Sequence, residues 1–157
     1  MSKRQWIVIV AGLTLLAGTL AGATQGAAIG LFNSRGTIQP FEIEDKATGF
    51  ELEAEEPIDI AVVGARLAPG DETGWHTHPA RSVVTVKPGS PALKLVYVRR
   101  GRCREKIYEQ GEGFVHPAGP HNFVNTSTTA ALDFGVAYFV PVGSTLLTNV
   151  PPPSACT

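Results

Sequence analysis

From Ile58 to Pro141 the chain is cut by a turn signal roughly every eight to twelve residues, a spacing that leaves room for strands and not for helices. The cuts are Ala68-Pro69-Gly70, Lys87-Pro88-Gly89, Arg100-Gly101, Gly111 to Gly113, Pro117-Ala118-Gly119-Pro120, and Pro141 itself. Proline locks φ and lacks an amide donor, while glycine enters conformations closed to other residues, so each cut ends one element and reverses the chain. The segments between them are rich in Val, Ile, Thr, Tyr and Phe. The spacing predicts strands over Ile58–Leu67, Trp75–Val86, Leu93–Val98, Cys103–Tyr108, Phe114–His116, His121–Val124 and Ala131–Val140. That pattern is the signature of an all-β sandwich or barrel, and 157 residues suffice for one such domain.

The first thirty residues are a separate object. Lys3 and Arg4 precede an uncharged, mostly apolar run from Trp6 through Leu20, followed by Ala21-Gly22-Ala23. This is the order of a secretory signal peptide with an A-x-A cleavage site. An uncleaved membrane anchor is the alternative, but the run is short for a spanning helix and is broken by Gly12, Gly18 and Gly22. The expected organisation is a signal peptide over 1–23, a linker or N-terminal arm over 24–40, the folded domain over 41–148, and a Pro-rich tail over 149–157. Export makes the protein secreted or periplasmic, with membrane contact only if the leader is retained. In such an oxidising compartment Cys103 and Cys156 are expected to form a disulfide that pins the tail, the alternative being two free thiols.

Two charged clusters stand out against a net charge of −1. Glu42, Glu44, Asp45, Glu51, Glu53, Glu55 and Glu56 crowd a weakly alternating stretch over Phe41–Ala54; a cation site and the solvated face of an edge strand both fit, and the second is favoured. Arg99, Arg100, Arg102, Arg104 and Lys106 form a basic hairpin that fits an anionic contact or a turn charged for solubility, the latter being favoured. With no net field to attract a polyanion, no nucleic-acid partner is expected.

The four histidines fall between His76 and His121. His76 and His78 are two apart on a predicted strand, so their side chains share a face. Around them the chain reads Gly70, five residues, His76-Thr77-His78, three residues, Ser82, six residues, Gly89. Downstream it reads Gly111, five residues, Pro117-Ala118-Gly119, Pro120, His121, three residues, Asn125.

In these two motifs the sequence resembles the cupin superfamily over roughly Ile58 to Val142. The resemblance implies a single antiparallel jelly-roll barrel enclosing a metal. It carries His76, His78 and His121 onto the family's three histidine ligands. The glutamate ligand's position holds Ser82, a poor ligand beside a carboxylate, and the second motif is one residue short between Gly119 and His121. The implied centre is three neutral imidazoles with open positions, suited to Zn, Cu, Mn, Ni or Fe. The alternative is a barrel that has lost its metal and keeps the histidines as polar lining.

Ser82 and His116 are expected beside the ligands. For His116 a surrogate ligand, a nearby base and a surface residue all fit, the last two being favoured. Asn125 is expected to make structural hydrogen bonds, Trp75 to point away from His76, and Tyr97, Phe134 and Tyr138 to be core or pocket wall. Metal or small-ligand binding is the leading function; a metal-dependent dioxygenase, isomerase or lyase acting on a small molecule is the alternative. A homodimer is an expectation of the resemblance alone.

Overall fold

The computed structural model of the protein describes residues 28–116 and 119–157, so the signal-peptide reading of 1–23 lies outside the described residues. The strands are β1 (Ile29–Ile38), β2 (Phe41–Asp45), β3 (Phe50–Ala54), β4 (Ile58–Leu67), β5 (His76–Thr77), β6 (Ser82–Val86), β7 (Leu93–Arg99), β8 (Arg102–Tyr108), β9 (Gly113–Val115), β10 (His121–Asn125), β11 (Leu132–Pro141) and β12 (Thr148–Asn149). Two five-stranded sheets, ordered β1-β4-β11-β6-β9 and β12-β5-β10-β7-β8, are antiparallel at every described pairing. Consecutive strands repeatedly switch sheets, as a jelly roll requires.

The turn residues act as their chemistry dictates. Arg99 pairs with Arg102, leaving Arg100 and Gly101 as a two-residue hairpin loop with φ of 52° and 70°. Positive φ at both central positions is the type I′ turn, whose twist matches the flanking strands.

Inward parity builds the core. Val84 and Val86 on β6 face inward, and β11 sets Val136 opposite Val84 and Phe134 opposite Val86. Leu67, Leu93, Leu95, Phe123 and Leu132 complete this buried apolar half. Toward the other end the same parity places Ser82, Tyr138, His121 and His76, all buried. One end of the barrel interior is oily and the other polar.

Two expectations are corrected. Trp75–Val86 is not one strand: β5 and β6 lie in different sheets, and Pro79, which cannot donate to a ladder, sits where the chain crosses between them. Residues 24–40 are not simply a linker, because Ile29–Ile38 forms β1, paired with β4 along its length. Its ten residues are exposed throughout, so no hydrophobic alternation marks it. Backbone pairing and polar anchors hold it instead. The β2–β3 hairpin forms its own two-stranded sheet, with Glu42 opposite Glu53 and Glu44 opposite Glu51.

Cys103 and Cys156 form a disulfide across a separation of 53 residues. Closing a loop of that size in the unfolded chain is worth about 4 kcal/mol in the chain-entropy treatment. The bridge fixes the short 3₁₀ turn Ser154–Cys156 against β8.

The chief polar anchor of β1 is Asp59, only 4% exposed. It accepts hydrogen bonds from Thr37 Oγ1 at 2.6 Å, Arg35 Nη2 at 2.6 Å and Nε at 2.8 Å, and the Gly143 amide at 3.0 Å. The Thr37 hydroxyl, then the Gly143 amide, then Arg35 hold its carboxyl down to about 2. A depressed carboxylate stabilises the fold above its unfolded pKa near 4, and that contribution is lost as pH falls through about 2. Asp59→Asn should therefore lower the melting temperature at pH 7, and the gap from wild type should close between pH 4 and pH 2. A gap that stays constant across that window in thermal melts would contradict the anchor.

Candidate metal centre

His121 opens β10 and pairs directly with His76 on β5, the edge-side neighbour, and with Tyr97 on β7 on its other side. The ladder alone thus brings His76 and His121 together from 45 residues apart. His78 follows β5 and is half-buried, whereas His76 and His121 are 2% and 0% exposed.

Each imidazole is held by the same device. His76 Nδ1 lies 2.8 Å from the Gly74 carbonyl, His78 Nδ1 2.6 Å from that of Leu146, and His121 Nδ1 2.9 Å from that of Gly119. A carbonyl only accepts, so each Nδ1 carries the proton and each neutral ring turns its Nε2 lone pair outward. This is how proteins orient histidines that bind metals.

His76 Nε2 and His121 Nε2 then stand 2.8 Å apart, and neither neutral ring has a proton to place between them. Two facing lone pairs repel; a shared cation removes the repulsion. Ligand nitrogens of all three histidines lie within 4.8 Å of one another. Bonds of about 2.0–2.1 Å to a tetrahedral ion would separate nitrogens by about 3.4 Å, so small ring movements complete the set. The three side chains fit a divalent metal in number, tautomer and direction. The one-residue shortening before His121 does not carry it away from its partners.

Burial also keeps the rings neutral. Desolvation pushes His76 down to about 4; desolvation first, then the neighbouring imidazoles of His116 and His76, pushes His121 down to about 2. Desolvation lowers His78 as well. Neutral imidazole is the form that ligates.

His116 is 2% exposed, which overturns the surface reading. Its ring centroid lies 3.7 Å from that of His121 and 4.9 Å from that of His78. The strand parity that buries Phe114 predicts the same face for His116; what the sequence lacked was the direction of the turn after Val115. Ser82 is buried opposite Tyr138, its carbonyl accepts the His116 amide at 2.8 Å, and its hydroxyl has no hydrogen-bond partner among the described residues.

Tyr138 belongs to the site. Its ring lies 5.0 Å from that of His78, and burial pushes its hydroxyl up to about 12, so it remains a proton donor at neutral pH. Tyr97 is partly buried against the core, and Phe134 lies in the apolar half. Asn125 is structural: its Nδ2 donates to the carbonyls of Leu67, Ala68 and Ala130, and its Oδ1 accepts from the Ser127 amide.

No sequence signal marked the C-terminal segment as part of the site. Leu146 supplies the carbonyl for His78, Asn149 pairs with His76, and the Val150 amide donates to the carbonyl of Trp75, itself half-buried. Glu72, close to the first motif, accepts from Asn122 Nδ2 at 2.8 Å.

No family model and no curated protein matches the sequence. Solved structures do. A cupin domain from Bordetella pertussis is 23% identical, covering 75% of this chain and 98% of its own, with a TM-score of 0.46. An oxalate decarboxylase is 18% identical over 58% of this chain and 24% of its own, with a TM-score of 0.50. A recombinant oxalate oxidase in complex with glycolate is 21% identical over 60% of this chain and 52% of its own, with a TM-score of 0.47. This chain therefore spans about a quarter of the oxalate decarboxylase and about half of the oxalate oxidase. These neighbours and a hazelnut vicilin are all of the cupin superfamily. At such identities the likeness is one of fold, and the fold is the jelly roll implied by the two motifs.

Groups that must stay neutral in the fold but protonate when unfolded make stability fall with pH below the unfolded value of about 6.5. His76 and His121 set the window, from about 6.5 down to about 4. Each fully buried imidazole costs up to about 1.4 kcal/mol per pH unit there. Denaturant melts of metal-free protein should show that loss between pH 6.5 and 5, and His121→Leu should flatten it. An equal slope in both proteins would contradict the assignment.

Proposed function

We propose that this protein is an exported cupin that binds one divalent transition metal through the Nε2 atoms of His76, His78 and His121 and presents it to a small ligand. The observation that carries the proposal is that all three Nδ1 atoms are held by backbone carbonyls, leaving each Nε2 free to ligate, while ligand nitrogens of the three rings lie within 4.8 Å of one another. Imidazole suits Zn, Cu, Mn, Ni and Fe alike. With no carboxylate in the ligand set, the bound ion would keep its full charge and act as a strong Lewis acid. The motifs' glutamate position offers only Ser82, whose uncommitted hydroxyl can hydrogen-bond a group at the centre. The Cys103–Cys156 bridge is the form expected of these cysteines outside the reducing cytoplasm, which supports export.

A catalytic reading has one specific observation in its favour. Tyr138 and His116 both contact the ligand histidines, and both can hold or move a proton. A metal-dependent dioxygenase, isomerase or lyase would use them on a substrate at the open positions.

Elemental analysis of protein recovered from its native compartment tests the binding proposal. About one metal per chain is expected, and His76→Ala/His78→Ala should lose it while still unfolding cooperatively. Absence of metal in wild type, after exposure to Zn, Cu, Mn, Ni and anaerobic Fe(II), would leave the histidines as polar lining and overturn the proposal.

A further inference from the structure

The inward face of the β7–β8 hairpin changes character along its length. Leu93 pairs with Tyr108 and Leu95 with Lys106, then Tyr97 with Arg104 and Arg99 with Arg102. The apolar end belongs to the core. Among the described residues, no ion pair neutralises the cationic end. There, where edge strand β9 faces this hairpin across the open side of the sandwich, lies a cleft of about 510 Å³ whose walls include Arg81, Arg99, Lys106, Tyr97 and Tyr108. A second hollow of about 310 Å³, lined by Tyr97, Arg99, Arg100 and Arg104, shares two of those residues.

No acidic side chain lines either hollow among the described residues. Elsewhere Arg35, Arg66, Lys87 and Lys94 are engaged in ion pairs, and none of the described ion pairs includes a cation of the cleft. Glu105 on β8 pairs with Lys94 at 3.3 Å. Lys106 Nζ is held 4.6 Å over the Tyr108 ring, at the cleft wall. Gathered cations without counter-charge focus a positive field, and guanidinium forks fit carboxylate or phosphate oxygens two at a time. The half-buried ring of Tyr97, which lines both hollows, supplies a flat wall for an apolar body.

The cleft is linked to the metal centre through the ladder by Tyr97, which lines the cleft and pairs with His121. Arg104, Tyr97, His121 and His76 occupy one cross-strand row over β8, β7, β10 and β5. We propose that this cleft and the hollow beside it, which share Tyr97 and Arg99, form one anion subsite, where Arg81, Arg99 and Lys106 of the cleft and Arg104 of the hollow hold the carboxylate or phosphate of a small organic ligand whose other end faces the three histidines. The orientation of that ligand rests on the metal-binding reading; the anion subsite itself does not. A polymer is not the occupant the charge favours, since the whole chain carries −1 and offers no long-range field.

Benzoate and phenylphosphate serve as probes, with neutral benzamide as control, titrated at low salt into zinc-loaded protein by calorimetry. Both anions, or the one whose geometry fits, should bind at least about tenfold more tightly than benzamide. Arg99→Ala/Arg104→Ala should weaken anion binding about tenfold or more while metal content and melting temperature stay unchanged. The charge-keeping Arg99→Lys/Arg104→Lys variant should recover part of it. The His76→Ala/His78→Ala variant separates the two readings: it should keep anion affinity within about threefold, because the cleft cations make the contact. Anion binding lost in the histidine variant, untouched in the arginine variant, or matched by benzamide would overturn the proposal. So would an oligonucleotide that binds more tightly than either anion, which would make the hairpin a polyanion surface.

Discussion

Two lone pairs facing each other at 2.8 Å are the constraint around which this interior is organised. His76 and His121 cannot turn away, because the carbonyls of Gly74 and Gly119 hold their other nitrogens. Nor do they readily relieve the contact by taking a proton, because burial opposes the charge. A divalent ion supplies charge and coordination at once, and His78, held by Leu146, is the third arm. The polar end of the barrel follows from that need. Ser82, His116 and Tyr138 occupy positions that, one or two ladder steps further along, are taken by Val84, Phe114 and Val136.

The remainder of the architecture keeps those three rings in place. β10 lies between β5 and β7, so the pair His76–His121 is fixed by backbone register rather than by a loop. The C-terminal segment closes over β5 through β12 and is tied at its end by Cys103–Cys156. At the opposite edge, Asp59 clamps β1 and the start of the loop after β11. A site built on strands and braced this way is more exactly positioned than one carried on loops.

Much of this was legible from residue types alone. Ile58–Leu67 is a strand with the boundaries its alternation and its Ala68-Pro69-Gly70 turn require, and the turn at Arg100-Gly101 is where two positive-φ residues are needed. Spacing alone put His76 and His78 on one face; the full set with His121 was implied by the resemblance of the two motifs to the cupin superfamily, and the disulfide came from export read together with an otherwise unanchored tail. Three things were hidden. β1 has no buried face, so its sequence carries no period to read. The switch of sheets between His78 and Ser82 depends on the long-range partners of β5 and β6, which proline hints at without specifying. Tyr138 and His116 have the right parity, but parity says which face a side chain takes and not which end of the barrel it reaches; only the register of Tyr138 with Ser82 settles that.

Everything at this centre depends on the tautomers of three imidazoles, which long-range ¹H–¹⁵N correlation spectra test most directly. In metal-free protein near neutral pH, His76, His78 and His121 should each appear as the Nδ1–H tautomer, and stoichiometric Zn²⁺ should shift all three Nε2 resonances together. Nε2–H tautomers at these positions, or Nε2 resonances that ignore the metal, would contradict the account.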